Sequence, residues 1–188
     1  MIVINLWGAP SSGKSTTASG LFFLMKINKM RVELVGEFAK DLVLEGRENV
    51  FSDQNYIFAE QNRRIKRLEQ HNYDFAITDS PLLLPIFYDE KRTGNHFEAF
   101  AEDEFHKDNN LNYFLVRRHV FETIGRRHNE EQSVAIERDL RNFLHSKSIY
   151  FLEIEASPRT PQIILEDIRN RMSKPIEMPF NLDDDSLK

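Results

Sequence analysis

The chain has 188 residues, a length that suits one domain with a hydrophobic core of its own. Hydrophobic residues make up 40% and charged residues 29%, and the absence of cysteine excludes a disulfide-stapled scaffold and fits a reducing compartment. The net charge of -5 argues against a general nucleic-acid binder. The apolar run at residues 21–25 is too short for a membrane span, and no basic segment precedes the first apolar run. We therefore expect a cytoplasmic protein with no membrane partner.

Apolar runs alternate with longer periodic segments, which predicts strands that alternate with helices. In chain order the predicted elements are the strand 2–7, the helix 11–28, the strand 31–35, the helix 37–45 ended by Gly46, the helix capped by Asp53 and running to residue 70, the strands 75–78 and 111–116, the helix 129–145, the strand 149–154 and the helix 160–171. Such an alternation requires crossover connections. The sequence therefore predicts an α/β fold with a mostly parallel five-stranded sheet.

Four of the predicted strands are followed, within two residues, by a residue that could take part in ligand binding or catalysis. Gly8 follows the first strand, Glu37 the second, Asp79 the third and Arg117 the fourth. In a parallel sheet the carboxyl ends of the strands lie at one edge, and ligands bind outside that edge. We therefore expect these four positions to contribute to a single site.

Residues 8–15, GAPSSGKS, match the pattern G-x-x-x-x-G-K-[ST] at every fixed position. A chain of this length would contain about 0.01 such matches by chance, so coincidence is a poor explanation. Backbone N–H groups of such a loop, with the positive end of the following helix dipole, bind phosphate oxygens. Lys14 would contact the β- and γ-phosphates of ATP, and the Ser15 hydroxyl would bind Mg²⁺. The predicted nucleotide-binding residues of this P-loop are Gly8, Ala9, Pro10, Ser11, Ser12, Gly13, Lys14, Ser15 and Thr16.

Two acidic residues near the loop are candidate catalytic groups. Asp79 closes the strand FAIT, where P-loop folds place a carboxylate that holds Mg²⁺, so Ser15 and Asp79 are the predicted metal ligands. Glu37 is a candidate base that accepts or orients the proton of an attacking hydroxyl. Its alternative role is to complement the dipole at a helix N-terminus. Asp41, one turn further on, is a second candidate for the same task.

Basic residues cluster after the fourth strand. Arg117, Arg118, Arg126, Arg127, His119 and His128 fall within twelve residues. A segment hinged at a glycine can close over ATP and supply positive charge to the transferring phosphoryl group. We therefore predict a small arginine-bearing lid at about residues 118–132, with Arg126 and Arg127 catalytic and Arg117 contacting the nucleotide. A solvated basic loop is the alternative.

The phosphate loop narrows the choice of protein class. A GTPase would carry N-K-x-D, but the Asn-Lys pair at residues 28–29 is followed by Met-Arg. An AAA+ motor needs an additional helical domain, for which the chain has little room. A compact three-layer P-loop fold with a lid favours a small-molecule kinase.

Four segments together resemble one family, the phage-type P-loop kinases labelled as AAA-domain ATP-binding proteins: GAPSSGKST, LVGEFAKDLV, ITDSPLLL and GRRHNEEQ. The resemblance covers about residues 1–155. This family is similar to ribosylnicotinamide kinase and, more distantly, to thymidylate and deoxynucleoside kinases. It implies a phosphotransferase that uses ATP and Mg²⁺ on a nucleoside or nucleotide acceptor, in the host cytoplasm if a phage encodes it. Two prolines, Pro175 and Pro179, break up the C-terminus, so the kinase domain is predicted at residues 1–174 and a C-terminal tail at 175–188.

Two alternatives stay open at this point. Some related phage kinases act on hydroxymethylated pyrimidines within DNA, so modified DNA is a second possible acceptor. The chain could also be an ATP-driven regulator that binds a protein partner and hydrolyses ATP slowly.

Overall fold

The computed structural model describes residues 1–89, 95–117 and 130–172. Several predictions fall outside these ranges. They are the roles of Arg126 and Arg127, the part of the lid at residues 118–129, and the C-terminal tail. Arg117 and the helix that follows the predicted lid lie inside them.

In chain order the elements are β1 (Ile2–Trp7), α1 (Lys14–Ile27), β2 (Val32–Val35), α2 (Phe38–Leu44), a 3₁₀ helix (Glu48–Ser52), α3 (Gln54–Glu69), β3 (Phe75–Thr78), α4 (Leu84–Phe87), α5 (Asn95–His106), β4 (Asn109–Val116), α6 (Glu130–Ser146), β5 (Leu152–Glu155) and α7 (Thr160–Met172). The strands form one sheet in the order β2-β3-β1-β4-β5, and every described pairing is parallel. The predicted α/β class and five-stranded sheet are confirmed.

Two helix boundaries show how local signals set the elements. Asp53 caps α3 as predicted, because its Oδ1 accepts a hydrogen bond from the backbone N of Tyr56 at 3.1 Å. The first helix begins at Lys14 and not at residue 11. Ser11 and Gly13 have φ angles of 62° and 84°, which are incompatible with a right-handed helix. The three residues before Lys14 therefore belong to the loop.

The fifth strand begins later than predicted, at Leu152 instead of residue 149. The backbone N of Ile149 donates to the carbonyl oxygen of Leu144 at 3.0 Å, so this residue closes the end of α6. The fourth strand begins earlier than predicted, at Asn109, because its polar first residues pair with β1. Helices α4 and α5 were not predicted.

Apolar side chains cover both faces of the sheet and hold a helix layer against each. On one face, strand residues such as Ile4 and Leu6 pack with α1 and α7, which contribute Ala18, Leu21, Leu24, Met25, Ile164, Leu165 and Ile168. The opposite face packs against α3, α5 and α6, which contribute Phe58, Ile65, Leu68, Ala101, Phe105, Leu140 and Leu144. The result is the predicted three-layer sandwich.

The register of the strands brings their carboxyl ends to one edge. Val35 of β2 is paired with Thr78 of β3, and Thr78 is in turn paired with Asn5 of β1. On the other side Trp7, the last residue of β1, pairs with Phe114 of β4. The segments that leave these four strands therefore emerge side by side. In the ranges that the structure describes, no helix has both the length and the apolar character needed to cross a membrane.

Candidate active site

The loop between β1 and α1 has a backbone that only glycine accommodates at its first position. Gly8 has a φ of 142°, a conformation that residues with a Cβ rarely adopt. A Cβ there would lie 2.5 Å from Ser12 Oγ and 2.7 Å from the carbonyl oxygen of Leu115. The loop therefore lies directly against β4, and its path depends on the absence of a side chain at residue 8.

The end of the loop presents hydrogen-bond donors to the space above β1. Among the described residues, none caps the N-terminus of α1 with its side chain, and the first turn contains no acidic residue. The Ser12 hydroxyl is buried and has no hydrogen-bond partner in the described parts of the chain. Buried hydroxyls are almost always bonded, and a helix N-terminus attracts anions, so this arrangement suits a phosphate group.

The ammonium group of Lys14 lies against the same loop. Its Nζ donates to the carbonyl oxygens of Gly8 at 2.8 Å and Ala9 at 3.1 Å. The side chain is half-buried, and these two bonds hold its positive charge beside the loop. A cation held there faces any anion that the loop amides bind.

Ser15 and Asp79, the predicted metal ligands, are in direct contact. The Ser15 hydroxyl donates to Asp79 Oδ2 at 2.5 Å, which joins the first turn of α1 to the residue that ends β3. Asp79 is 8% exposed, whereas Ser15 is open to solvent. Hydroxyl and carboxylate oxygens are donors that suit Mg²⁺.

The described residues contain no cluster of three or more histidine, aspartate or glutamate side chains that could enclose a metal. Mg²⁺ in nucleotide enzymes is commonly held by one or two protein oxygens, with water and phosphate oxygens completing its shell. The Ser15–Asp79 pair is compatible with that kind of site.

Glu37 emerges beside this pair. It follows β2 by two residues, Asp79 follows β3 by one, and the two strands are neighbours paired at Val35 and Thr78. Glu37 is half-buried and occupies the N-cap position of α2, so the predicted alternative role at a helix terminus also fits its location. Asp41, the second candidate base, instead forms an ion pair with Arg64 at 2.8 Å.

Tyr88 faces Glu37 from the segment that follows α4. Tyr88 is 37% exposed, so its phenol is only partly buried, and this partial burial together with the negative charge of Glu37 raises the pKa of Tyr88 above its ordinary value. The phenol therefore stays protonated at neutral pH and can donate a hydrogen bond. Tyr88 was not predicted as a site residue, because it lies in no periodic segment and in no motif.

Two aromatic residues on α2 and α3 have different surroundings. Phe58 belongs to the core, where it packs edge-to-face on Phe97. Phe38 is buried directly after Glu37, with the Tyr56 ring 5.4 Å away and the Arg64 guanidinium 4.9 Å from its ring centre. This second group lines the approach to Glu37 from the α2–α3 side.

Helix α6 also contacts the phosphate loop. The Ser133 hydroxyl, in the first turn of α6, donates to the carbonyl oxygen of Pro10 at 2.9 Å. Ser133 is 1% exposed. Arg117, which follows β4, is half-buried at the same edge, two residues beyond the carbonyl of Leu115 that lies against Gly8. The loop is therefore bordered by β4 and α6 on the side away from Glu37.

The structure thus places Gly8, Ala9, Pro10, Ser11, Ser12, Gly13, Lys14, Ser15, Thr16, Glu37, Asp79 and Arg117 at one edge of the sheet. Thr16 is solvent-exposed in the first turn of α1. Arg126 and Arg127 lie outside the described residues, so their roles remain predictions.

Solved protein structures resemble the chain in their fold. No curated protein sequence matches it. The structure of a deoxyadenosine kinase from M. mycoides, with dCMP and a flexible dCDP bound, superimposes with a TM-score of 0.52 at 15% sequence identity. The match covers 89% of this chain and 99% of that one. The chain therefore has a P-loop fold like that of a nucleoside kinase.

A family model described as an AAA domain, AAA_28, matches residues 3–159. The matched range contains the phosphate loop, Glu37, Asp79 and Arg117, and it accounts for most of the sequence. The chain belongs to this AAA-domain family, as the sequence motifs predicted.

Proposed function

We propose that the protein is an ATP- and Mg²⁺-dependent kinase that phosphorylates a nucleoside- or nucleotide-like acceptor. The observation that carries the proposal is the placement of Glu37 at the N-cap of α2, two residues after β2, the strand that pairs with β3 and so ends beside Asp79. A phosphate loop and a metal-binding pair suffice to bind ATP. A carboxylate after the neighbouring strand supplies what a transferase also needs, a group for the acceptor hydroxyl.

On the nucleotide side, the loop amides, the Ser12 hydroxyl and Lys14 bind the phosphates in this proposal. Ser15 and Asp79 hold Mg²⁺, which would neutralise charge on the phosphate oxygens. Arg117 extends the positive surface beyond β4, and Arg126 or Arg127 contributes charge from the predicted lid.

On the acceptor side, Glu37 accepts the proton of the attacking hydroxyl. The new bond joins the acceptor oxygen to the γ-phosphorus, and the bond from that phosphorus to the β-phosphate oxygen breaks, giving ADP. The protonated phenol of Tyr88 donates a hydrogen bond to a second polar group of the acceptor. The fold shared with a deoxyadenosine kinase supports a nucleoside-like acceptor.

The direct test is an acceptor panel. The protein is incubated with γ-labelled ATP, Mg²⁺ and in turn nucleosides, nucleotides, ribosylnicotinamide and base-modified DNA, and labelled products are separated. We expect label in a small nucleoside-like acceptor. ATP hydrolysis that no acceptor stimulates would refute the kinase assignment and favour a regulator.

Two variants assign the roles. Lys14→Ala should lower transfer by about 100-fold or more while leaving the thermal melting curve in place. Lys26→Ala, at the other end of the same helix, is the matched control and should retain activity. Glu37→Gln should keep the affinity for ATP but lower kcat by about 10²- to 10⁴-fold. Normal turnover in the Lys14 variant would remove the basis of the proposal.

A further inference from the structure

Gln61 occupies a position in α3 that an apolar residue would normally fill. It is 1% exposed and shares the buried side of the helix with Ile57, Ile65 and Leu68. A buried amide costs free energy unless its donor and acceptor are both satisfied. Its presence therefore calls for specific partners.

Those partners lie next to the two carboxylates, one at the start of α2 and one at the end of β3. Gln61 Oε1 accepts a hydrogen bond from the backbone N of Phe38 at 3.2 Å, and Nε2 donates to Thr78 Oγ1 at 3.2 Å. Phe38 is the first residue of α2 and directly follows Glu37, whereas Thr78 is the last residue of β3 and directly precedes Asp79. One side chain thus links the backbone N–H that follows Glu37 to the hydroxyl of the residue that precedes Asp79.

Thr78 extends the bridge around Asp79. Its hydroxyl, fully buried, donates to the carbonyl oxygen of Ser80 at 3.1 Å and accepts from the backbone N of Ser80 at 3.1 Å. These two bonds span Asp79, the residue in between. With the bond from Gln61, the hydroxyl uses its one donor and both acceptor positions.

We infer that Gln61 is a positioning residue, which acts through Phe38 and Thr78 to fix Glu37 relative to Asp79. The inference rests on the proposed function, in which Glu37 receives the proton of the acceptor and Asp79 lies on the metal side. Phosphoryl transfer requires the acceptor hydroxyl and the phosphate to be aligned closely, and a displacement of about 1 Å can cost about 100-fold in rate. A rigid link between the two carboxylates sets that alignment.

The amide is suited to this task because it offers both an acceptor oxygen and a donor NH₂ group. In Gln61→Glu the carboxylate still accepts from Phe38 but has no proton for Thr78. Gln61→Leu removes both bonds while keeping similar volume. At the Thr78 end of the bridge, Thr78→Val removes the hydroxyl that accepts from Gln61, and Thr78→Ser retains it.

The test compares kinetics with stability for these four variants. We expect Gln61→Leu and Thr78→Val to lower kcat about 10- to 100-fold and to raise the KM for the acceptor, with the KM for ATP within about twofold of wild type. Gln61→Glu should be intermediate, and Thr78→Ser should restore most of the activity.

A purely structural role is separated by a control and by a double mutant. Tyr113→Phe removes another buried hydrogen bond, to Asp167 at 2.8 Å, on the opposite face of the sheet. It should lower stability, measured by urea unfolding, without changing kcat. In a Glu37→Gln background, Gln61→Leu should have almost no further effect, because the group it positions no longer accepts a proton.

Each outcome decides one question. If Gln61→Leu keeps wild-type kcat while the wild type transfers phosphate, the positioning role is wrong and the proposed function stands. The same conclusion follows if its effect is equally large in the Glu37→Gln background or is reproduced by Tyr113→Phe. If the wild type transfers phosphate to no acceptor, the proposed function fails and the inference falls with it.

Discussion

The hydrogen bond between Ser15 and Asp79 links α1 to the end of β3, and its energetic contribution can be measured directly. Ser15→Ala and Asp79→Ala, alone and together, form a double-mutant cycle that isolates this contact from the other effects of each substitution. The bond is 2.5 Å long, and its acceptor is a mostly buried carboxylate.

The expected magnitude follows from this geometry. A hydrogen bond to a charged group contributes about 1.5–3 kcal/mol, and because water reaches Ser15 the lower end applies. Ser15→Ala regains about 0.5 kcal/mol of helix propensity, so its net loss is about 1 kcal/mol, or about 2–4 °C in Tm. The coupling energy of the cycle should be about 1–1.5 kcal/mol.

Urea unfolding followed by circular dichroism gives the four free energies of unfolding. Ser19→Ala is the matched control, since its hydroxyl bonds the carbonyl oxygen of Ser15 at 2.9 Å and not Asp79. Combined with Asp79→Ala it should be additive within about 0.5 kcal/mol. A Ser15–Asp79 coupling below about 0.3 kcal/mol would refute the reasoning.

The same variants test the metal assignment through ligand binding. At 100 times its Kd, a ligand stabilises the folded state by about 2.7 kcal/mol. Mg²⁺ with ATP should therefore raise the Tm of the wild type. This increase in Tm should be smaller in Asp79→Ala. EDTA should reduce the increase in the wild type to the value seen in the variant. An equal gain in both proteins, with or without EDTA, would exclude Asp79 as a ligand.

Three further predictions concern the loop and the protein surface. Gly8→Ala should lower the free energy of unfolding by at least about 2 kcal/mol and weaken nucleotide binding. The control Gly46→Ala should lower it by only about 1 kcal/mol, because Gly46 has a φ of 68° but no atom lies within 4 Å of the added Cβ. Equal losses of the two variants in urea unfolding would contradict this prediction. Ser133→Ala should weaken ATP binding about 3- to 10-fold in a calorimetric titration, because the loop loses a bond worth about 0.5–1.5 kcal/mol, and an unchanged Kd would count against the link. The hydrogen bond from Arg63 lowers the pKa of Glu60 from 4.5 to about 2. The ionised Glu60 therefore stabilises the folded state fully above pH 4.5, and this contribution is lost as the pH falls toward 2. Glu60→Gln should therefore reduce stability by less than about 1 kcal/mol at pH 7, and a difference from wild type that persists at pH 2 would show another cause.

The phosphate loop could be predicted from the sequence because its chemistry is local. Its glycines, lysine and serine are contiguous, and their spacing is dictated by the backbone path around a phosphate. Glu37 and Asp79 could be located because strand ends in a parallel sheet share an edge. The positions of these residues could be predicted from the order of the strands and helices alone, without knowledge of how the elements pack.

Features that depend on tertiary contacts could not be predicted in the same way. Gln61 falls within a segment rich in arginine and lysine, a composition typical of a solvated face, although its spacing to Ile65 and Leu68 is that of the buried stripe. Ser133 and Pro10 are 123 residues apart in the sequence, so no local pattern indicates the hydrogen bond between them.

Helix α5 is a different case, since its spacing of Phe97, Ala101 and Phe105 is helical and was available in the sequence. Ala99 and Phe100 lie between two of these positions, so the apolar pattern of α5 is broader than a single stripe. The signal for α5 is nevertheless local, whereas the contacts of Gln61 and Ser133 depend on the folded chain.

The central place of β1 in the sheet has a consequence for biosynthesis. Ile2 pairs with Phe75 on one side and with Asn109 on the other, so β1 is translated long before either neighbour exists. Parallel pairings between distant segments form slowly, and an unpaired strand edge promotes association with other chains. The phosphate loop rests on the backbone of β4, so a nascent chain on the ribosome cannot complete it until β4 has emerged. Until then β1 is an apolar segment without its strand partners, and nucleotide can stabilise the protein only after β1 has paired with both neighbouring strands.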